Sequence, residues 1–385
     1  MPLISHESLP RVTPATTFSL AQARQIVKDD FEPNPWIYWT DFLASNIAGT
    51  VCFMLVRKFP LFSLAQVLLF LASCLLFYRC VLFIHELVHL KSTSFRAFRM
   101  VWNLLCGIPF LIPSFLYYTH LDHHRRKHYG TPHDGEYIPL GNQSIGAILF
   151  YLSQILIIPA LAIARFMILT PLTWFIPAVR RWVFKHASSM IMEPAYVRPM
   201  PTPQVLRIWR LQEFGCLVVC WTVAVLLYRG QQPGVTQEML QTPIRNGVLP
   251  FSFLVQAYLT SLVIVGLNAV RTLGAHRFLG DGQEMTFNEQ LLDSVNYPRR
   301  PLLTGLWAPV GLQFHALHHL FPSLPYHNLR RAHNKLMREL PENSLYRLTN
   351  ADSLWSVLAG LFAAAKDAQQ RKAAAQPQGD LVRVA

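Results

Sequence analysis

Residues 83–90 read FIHELVHL and place His85 and His89 four positions apart with Glu86 between them. On a helix, H-E-x-x-H turns both imidazoles to one face, as in zinc proteases that use the glutamate as general base. The pair suits other metals equally well, and two further clusters bear on the choice. HLDHH supplies His120, His123 and His124, and HALHH supplies His315, His318 and His319. Spacings of three and four again bring side chains to a common helical face. Neutral imidazole is a favoured ligand of iron, zinc and copper. A catalytic zinc takes only three protein ligands, so eight clustered histidines imply two metal ions. No thiolate lies near them in sequence, which favours iron over blue-copper or iron–sulfur chemistry. A protease would use the first cluster and leave six histidines without a task.

A ninth candidate stands in NAVRTLGAHRFLGDG, where His276 follows Asn268 by eight residues, about two helical turns on the same face. Asn268 is placed to hold a metal-bound water or to cap the helix end. Metal-bound imidazoles pass their second N–H to a carboxylate or carbonyl, which makes Glu86, Asp122 and Asp293 candidate outer partners. The remaining histidines (His6, His128, His133, His186, His327 and His333) read as ordinary surface, turn or packing residues.

These clusters need elements to carry them, and the composition says what kind. Hydrophobic residues make up 52% of the 385 positions and charged residues only 14%. Soluble domains carry about 25% charged residues, so the chain reads as an integral membrane protein. WIYW at 36–39 is an interfacial anchor before an apolar run to about Val56, and residues 61–84 form a second run. The turn between them is short, so they form a hairpin ending at His85. Leu211–Tyr228 and Pro250–Asn268 form a second hairpin. Residues 101–118 and 144–177 are also apolar, but proline interrupts them, and a single crossing by either would separate the histidine clusters. Both are read as interfacial or re-entrant. The expected fold is therefore all-α, with about four transmembrane helices in two hairpins under a cytoplasmic helical cap carrying the histidines.

Basic segments such as HHRRKHYG, YPRR and LRRAHNK accompany the clusters, whereas the loop 229–249 has only Arg229 and Arg245. That asymmetry puts the histidines on the cytoplasmic side and accounts for the net charge of +13 without nucleic acid, for which no binding motif appears. The six cysteines lie in apolar stretches with no C-x-x-C pair, which points to neither disulfides nor a cysteine metal site. The first residues lack the apolar core of a signal peptide. The division expected is a cytoplasmic segment with its anchor (1–40), a membrane domain (41–340), and a helix that frays into a disordered tail (341–385).

With these three boxes in order, the sequence resembles the membrane fatty acid desaturase superfamily, over about residues 40–340. HHLFPSLPYHNL and NAVRTLGAHR are also similar to late segments of that family. The resemblance implies a non-haem di-iron centre at the membrane surface, with His276 as an additional ligand. It also implies dioxygen-dependent removal of two hydrogens from a long-chain acyl lipid. Asn268 and His276 stand further apart here than in some relatives. Hydroxylation on the same scaffold is the alternative outcome; an intramembrane zinc protease and a metal carrier are weaker ones. Arg125, Arg126, Lys127, Arg299 and Arg300 are placed to attract a phosphate headgroup or an acidic electron carrier. No dinucleotide fingerprint or fused cytochrome appears, so the electrons are expected from a separate ferredoxin or small cytochrome.

Overall fold

The computed structural model describes residues 18–90 and 95–375. His6 and the ends of the chain lie outside them. Helix α1 (Pro35–Leu55) starts where the Asn34 side chain accepts the Trp36 N–H and Pro35 takes the first helical position. Helix α2 (Leu64–His89) starts on Ser63, whose hydroxyl accepts the Gln66 N–H. The two pack as a hairpin. On α1 the buried positions are Tyr38, Phe42, Ser45, Gly49 and Phe53, spaced three and four apart. Gly49 permits the close approach, since a Cβ there would stand 3.0 Å from the Phe77 ring. The first half of α2 exposes Leu68 and Leu71, while from Cys80 to Val88 it is buried on every side. The half that carries the histidines is thus enclosed by protein.

The short helix α3 (His120–His123) follows a stretch broken into pieces: Arg96–Trp102, a π turn over Asn103–Gly107 and a 3-10 turn over Ser114–Tyr117. Asn103 joins the pieces, accepting the Ser114 N–H at 2.9 Å. Residues 101–118 therefore form no long helix. Helices α4 (Pro203–Gly230) and α5 (Phe251–Ala275) make the second long pair, with Leu211, Trp221 and Val225 of α4 exposed as a lipid-facing surface would be. After α5 come α6 (Phe287–Asp293), α7 (His315–Leu320), α8 (Leu329–Glu339) and α9 (Leu354–Ala375). The described residues contain no strand. Isolated bridges His276–Ser294, Asn296–Phe314 and Asn296–Asn350 tie these late segments together.

Five helices are long and apolar enough to cross a bilayer: Pro35–Lys58, Leu64–His89, Ile158–Phe175, Pro203–Gly230 and Phe251–Ala275. Ile158–Phe175 falls in the stretch read from sequence as interfacial. Its prolines do not break it, because Pro159 and Pro171 each sit in the first turn of a helical piece, where no N–H is needed. A π turn at Arg165–Leu169 joins the pieces. Within the expected C-terminal region, α9 runs unbroken to Ala375, with Leu361, Ala365 and Ala368 buried, and the tail expected after it lies outside the described residues. Small alanines allow that close packing.

Candidate metal centre

Four segments deliver nine histidines to one place. The last turns of α2 carry His85 and His89, α3 and its cap carry His120, His123 and His124, and α7 carries His315, His318 and His319. His276 is the first residue after α5, held in extended backbone. The rings sort into two groups. His85, His89, His120, His124 and His318 have ligating nitrogens all within 4.8 Å of one another, and so do His123, His276, His315 and His319.

The nitrogens face each other as ligands would. His124 Nε2 stands 3.0 Å from His120 Nε2 and 3.1 Å from His318 Nε2. His315 Nε2 stands 3.0 Å from His276 Nε2 and 3.1 Å from His319 Nε2. Two ligands at right angles on one ion, with bonds of about 2.1 Å, are separated by about 3.0 Å. Both ring nitrogens of His85, Nε2 of His89 and Nδ1 of His124, His315 and His318 are buried without a hydrogen-bond partner. Buried polar atoms are ordinarily satisfied, so one nitrogen of His85 and Nε2 of His89 fit a bound cation, whereas the Nδ1 atoms of His124, His315 and His318 lie on the outer side of rings whose Nε2 atoms face the centre.

Burial and the neighbouring imidazoles hold His120, His124, His315, His318 and His319 well below the ordinary histidine value, in the neutral form that donates a lone pair. Burial also lowers His276, against the opposing pull of Asp293. Burial would lower His123 too, but the Asp134 carboxylate reverses the direction. A metal on its other nitrogen would supply the positive charge that Asp134 stabilises.

Behind the rings stands a layer of carboxylates. His120 Nδ1 lies 2.9 Å from Glu136, His123 Nδ1 lies 2.8 Å from Asp134, and His276 Nδ1 lies 3.1 Å from Asp293. Each contact fixes the ring so that Nε2 points inward. Burial pushes Glu136 up to about 8. Burial would also raise Asp293, but hydrogen bonds, chiefly from His276, bring it below the usual carboxylate range. Tyr129 donates to Asp293 at 2.6 Å, Tyr137 donates to it at 3.1 Å, and the Leu279 N–H adds a third bond at 2.7 Å.

The sequence-predicted outer residues divide. Asp293 takes the expected place against His276. Glu86 does not face an imidazole: it accepts the Tyr38 hydroxyl at 2.7 Å and the Tyr326 N–H at 3.3 Å. It fastens α1 and the segment before α8 to the histidine helix, and is turned away from the position of a protease base. Asp122 points to Tyr196 (2.9 Å) and Arg125 (2.8 Å), and Asn268 accepts from Arg271 at 3.1 Å. Of the histidines set aside, His327 Nε2 accepts the Asn34 N–H and His333 meets the Tyr346 hydroxyl. Neither joins the centre.

Asp134 and Glu136 were not singled out from sequence. Their one signal is an acidic pair in the turn TPHDGEY, shortly after the second box, where the Glu136 N–H donates to Asp134 at 3.0 Å.

A model of the fatty acid desaturase family matches residues 61–350. The chain is 35% identical, over 362 residues, to a ceramide hydroxylase of Caulobacter vibrioides (strain NA1000 / CB15N), an alignment covering 93% of this chain and 96% of the relative. No solved structure matches the chain.

Proposed function

The chain belongs to the fatty acid desaturase family, and on that premise we propose that it hydroxylates the alkyl portion of a ceramide-type membrane lipid at a His-ligated pair of irons. Membership makes it a membrane oxidoreductase acting on lipids. The observation that carries the metal reading is the convergence of nine imidazoles, from four segments, into two groups of ligand-competent nitrogens. One group would hold an ion through His85, His89, His120, His124 and His318, the other through His123, His276, His315 and His319.

When bound, the two irons supply the reduction of dioxygen that makes an oxidant strong enough to take hydrogen from an unactivated methylene. In hydroxylation one oxygen atom would enter the C–H bond and the other would leave as water, with two electrons from an external donor and two protons from solvent. The protein's own part is to keep the imidazoles neutral by burial, to fix their tautomers through Asp134, Glu136 and Asp293, and to close the site against water. Asp293, with three donors besides His276, is the firmest of these anchors.

Desaturation is the second reading. It uses the same oxidant and differs in removing two neighbouring hydrogens, and the family match supports it as much as hydroxylation. Near full-length similarity to a ceramide hydroxylase favours the first. Expression in a host that supplies a ferredoxin or small cytochrome separates the two by lipid mass spectrometry, with His318→Ala as control. A ceramide that gains one oxygen supports hydroxylation, and an acyl chain that loses two hydrogens supports desaturation. Unchanged lipids in a chain loaded with iron would contradict both.

The same centre supports a topology with the histidines on the cytoplasmic side. His89 ends α2 and His276 follows α5, so the two hairpins return to one side. The segment from residue 90 to 202 begins and ends there, which makes its crossings even in number, and Ile158–Phe175 either stays on that side or pairs with a second crossing such as Ile145–Leu156. The exposed Arg125, Arg299 and Arg300 accompany the centre, as a cytoplasmic face requires.

A further inference from the structure

One buried guanidinium in the membrane domain donates its hydrogen bonds to neutral groups. Arg271, in the last turns of α5, is 8% exposed. Its Nη2 donates to Asn268 Oδ1 at 3.1 Å and to Thr272 Oγ1 at 3.0 Å, the Tyr78 hydroxyl is a third neutral hydrogen-bond partner, and its Nε is buried with no partner. Among the described residues no carboxylate pairs with it. The other buried arginine of the apolar segments, Arg165, has the Glu213 carboxylate against it. A buried donor left unsatisfied is costly, so the free Nε points to a ligand that completes it.

Its surroundings say what kind. Arg271 lies within electrostatic reach of Tyr117, Tyr151, Glu136 and the centre's His315. It precedes His276 by five residues, about 7.5 Å along the helix. Its side chain leans towards the helix start, as the bond to Asn268 shows, and therefore away from the metals and into the membrane side. A lipid entering laterally from the bilayer would meet this hydroxyl-rich patch next to the metals.

We propose that Arg271, braced by Asn268 and Thr272, is the subsite for an oxygen acceptor of the lipid's polar linkage region, a hydroxyl or an amide carbonyl. It would hold the carbon to be oxidised within a few bonds of that oxygen. This rests on the hydroxylase reading for the class of lipid and deepens it: the protein would act close to the headgroup and not at mid-chain.

Equilibrium binding to full-length, iron-loaded protein in nanodiscs, without oxygen or electron donor, tests it. The probes are N-acyl sphinganine, the analogue lacking its hydroxyls, and the analogue whose amide carbonyl is reduced to methylene. Arg271→Gln should weaken binding of the parent lipid by about 10- to 100-fold, and leave unchanged the one analogue already missing the group that Arg271 holds. Which analogue that is tells hydroxyl from carbonyl. Arg271→Lys, which keeps the charge but not the fork, should fall between and serves if the glutamine variant does not fold. Equal losses for all three lipids, no loss, or no binding of the parent by the unaltered protein would overturn the proposal. A protein that binds with this pattern yet oxidises none of the lipids would sink the hydroxylase reading and leave the subsite standing.

Discussion

His124 and His318 stand 194 positions apart in the chain, and their Nε2 atoms approach to 3.1 Å. Nothing local brings them together; the fold of α2, α3 and α7 around one point does. One such pair can share an N–H···N hydrogen bond, but His124 Nε2 also stands 3.0 Å from His120 Nε2, and three nitrogens converging on one point fit a shared cation better.

The outer carboxylates carry the first prediction. Asp293→Asn and Asp134→Asn keep a hydrogen-bonding side chain but remove the charge behind His276 and His123. Each should lower metal affinity by about 10- to 100-fold, as changes to such partners do elsewhere, with the helical fold retained. Chelator competition against iron measures it. Affinity equal to that of the unaltered chain would remove these residues from the account.

Glu86 should behave differently, although it sits inside the first box. Tyr38→Phe removes the hydroxyl that Glu86 accepts at 2.7 Å and should cost about 1–3 kcal/mol of stability, with metal content unchanged. Thermal unfolding and elemental analysis on the same sample check both halves. Loss of metal without loss of stability would put Glu86 back among the metal's partners.

These two cases show what was legible in the sequence. The eight boxed histidines could be read because helical spacing alone places them on common faces, and His276 because it closes an apolar helix. The partners of the imidazoles could not, since they depend on how distant segments meet. Asp122 lies one residue from His123 yet points to Tyr196, because a helix as short as α3 has an outer face. Asp134 and Glu136 reach the rings through a turn with no periodicity to reveal it. The apolar hairpins were legible from length and composition. The helical continuity of Ile158–Phe175 was not, because proline in a first helical turn looks in sequence like proline as a breaker.

A third prediction concerns the buried pair Arg165–Glu213, which joins the π turn to α4. Glu213→Gln leaves the guanidinium uncompensated and should destabilise the protein by about 3–5 kcal/mol. Arg165→Met combined with Glu213→Leu should recover much of that loss. Melting temperatures in detergent decide; a double variant as unstable as the single one would contradict the electrostatic explanation.

His333 gives the fourth. Burial, with Arg330 beside it, holds its pKa down at about 4 against an ordinary 6.5. The unfolded chain therefore binds a proton that the folded one refuses, so stability is full above about pH 6.5 and declines as pH falls towards 4. The whole shift corresponds to about 3 kcal/mol at most. His333→Gln should flatten the acid limb of melting temperature against pH, and an unchanged limb would assign that limb to other groups.

The metal content of the purified chain tests the central claim most directly. Full-length protein from iron-supplemented cells, assayed by elemental analysis, should hold two irons per chain, and His318→Ala should hold fewer. A single zinc per chain, or two irons retained after His318→Ala, would contradict the account.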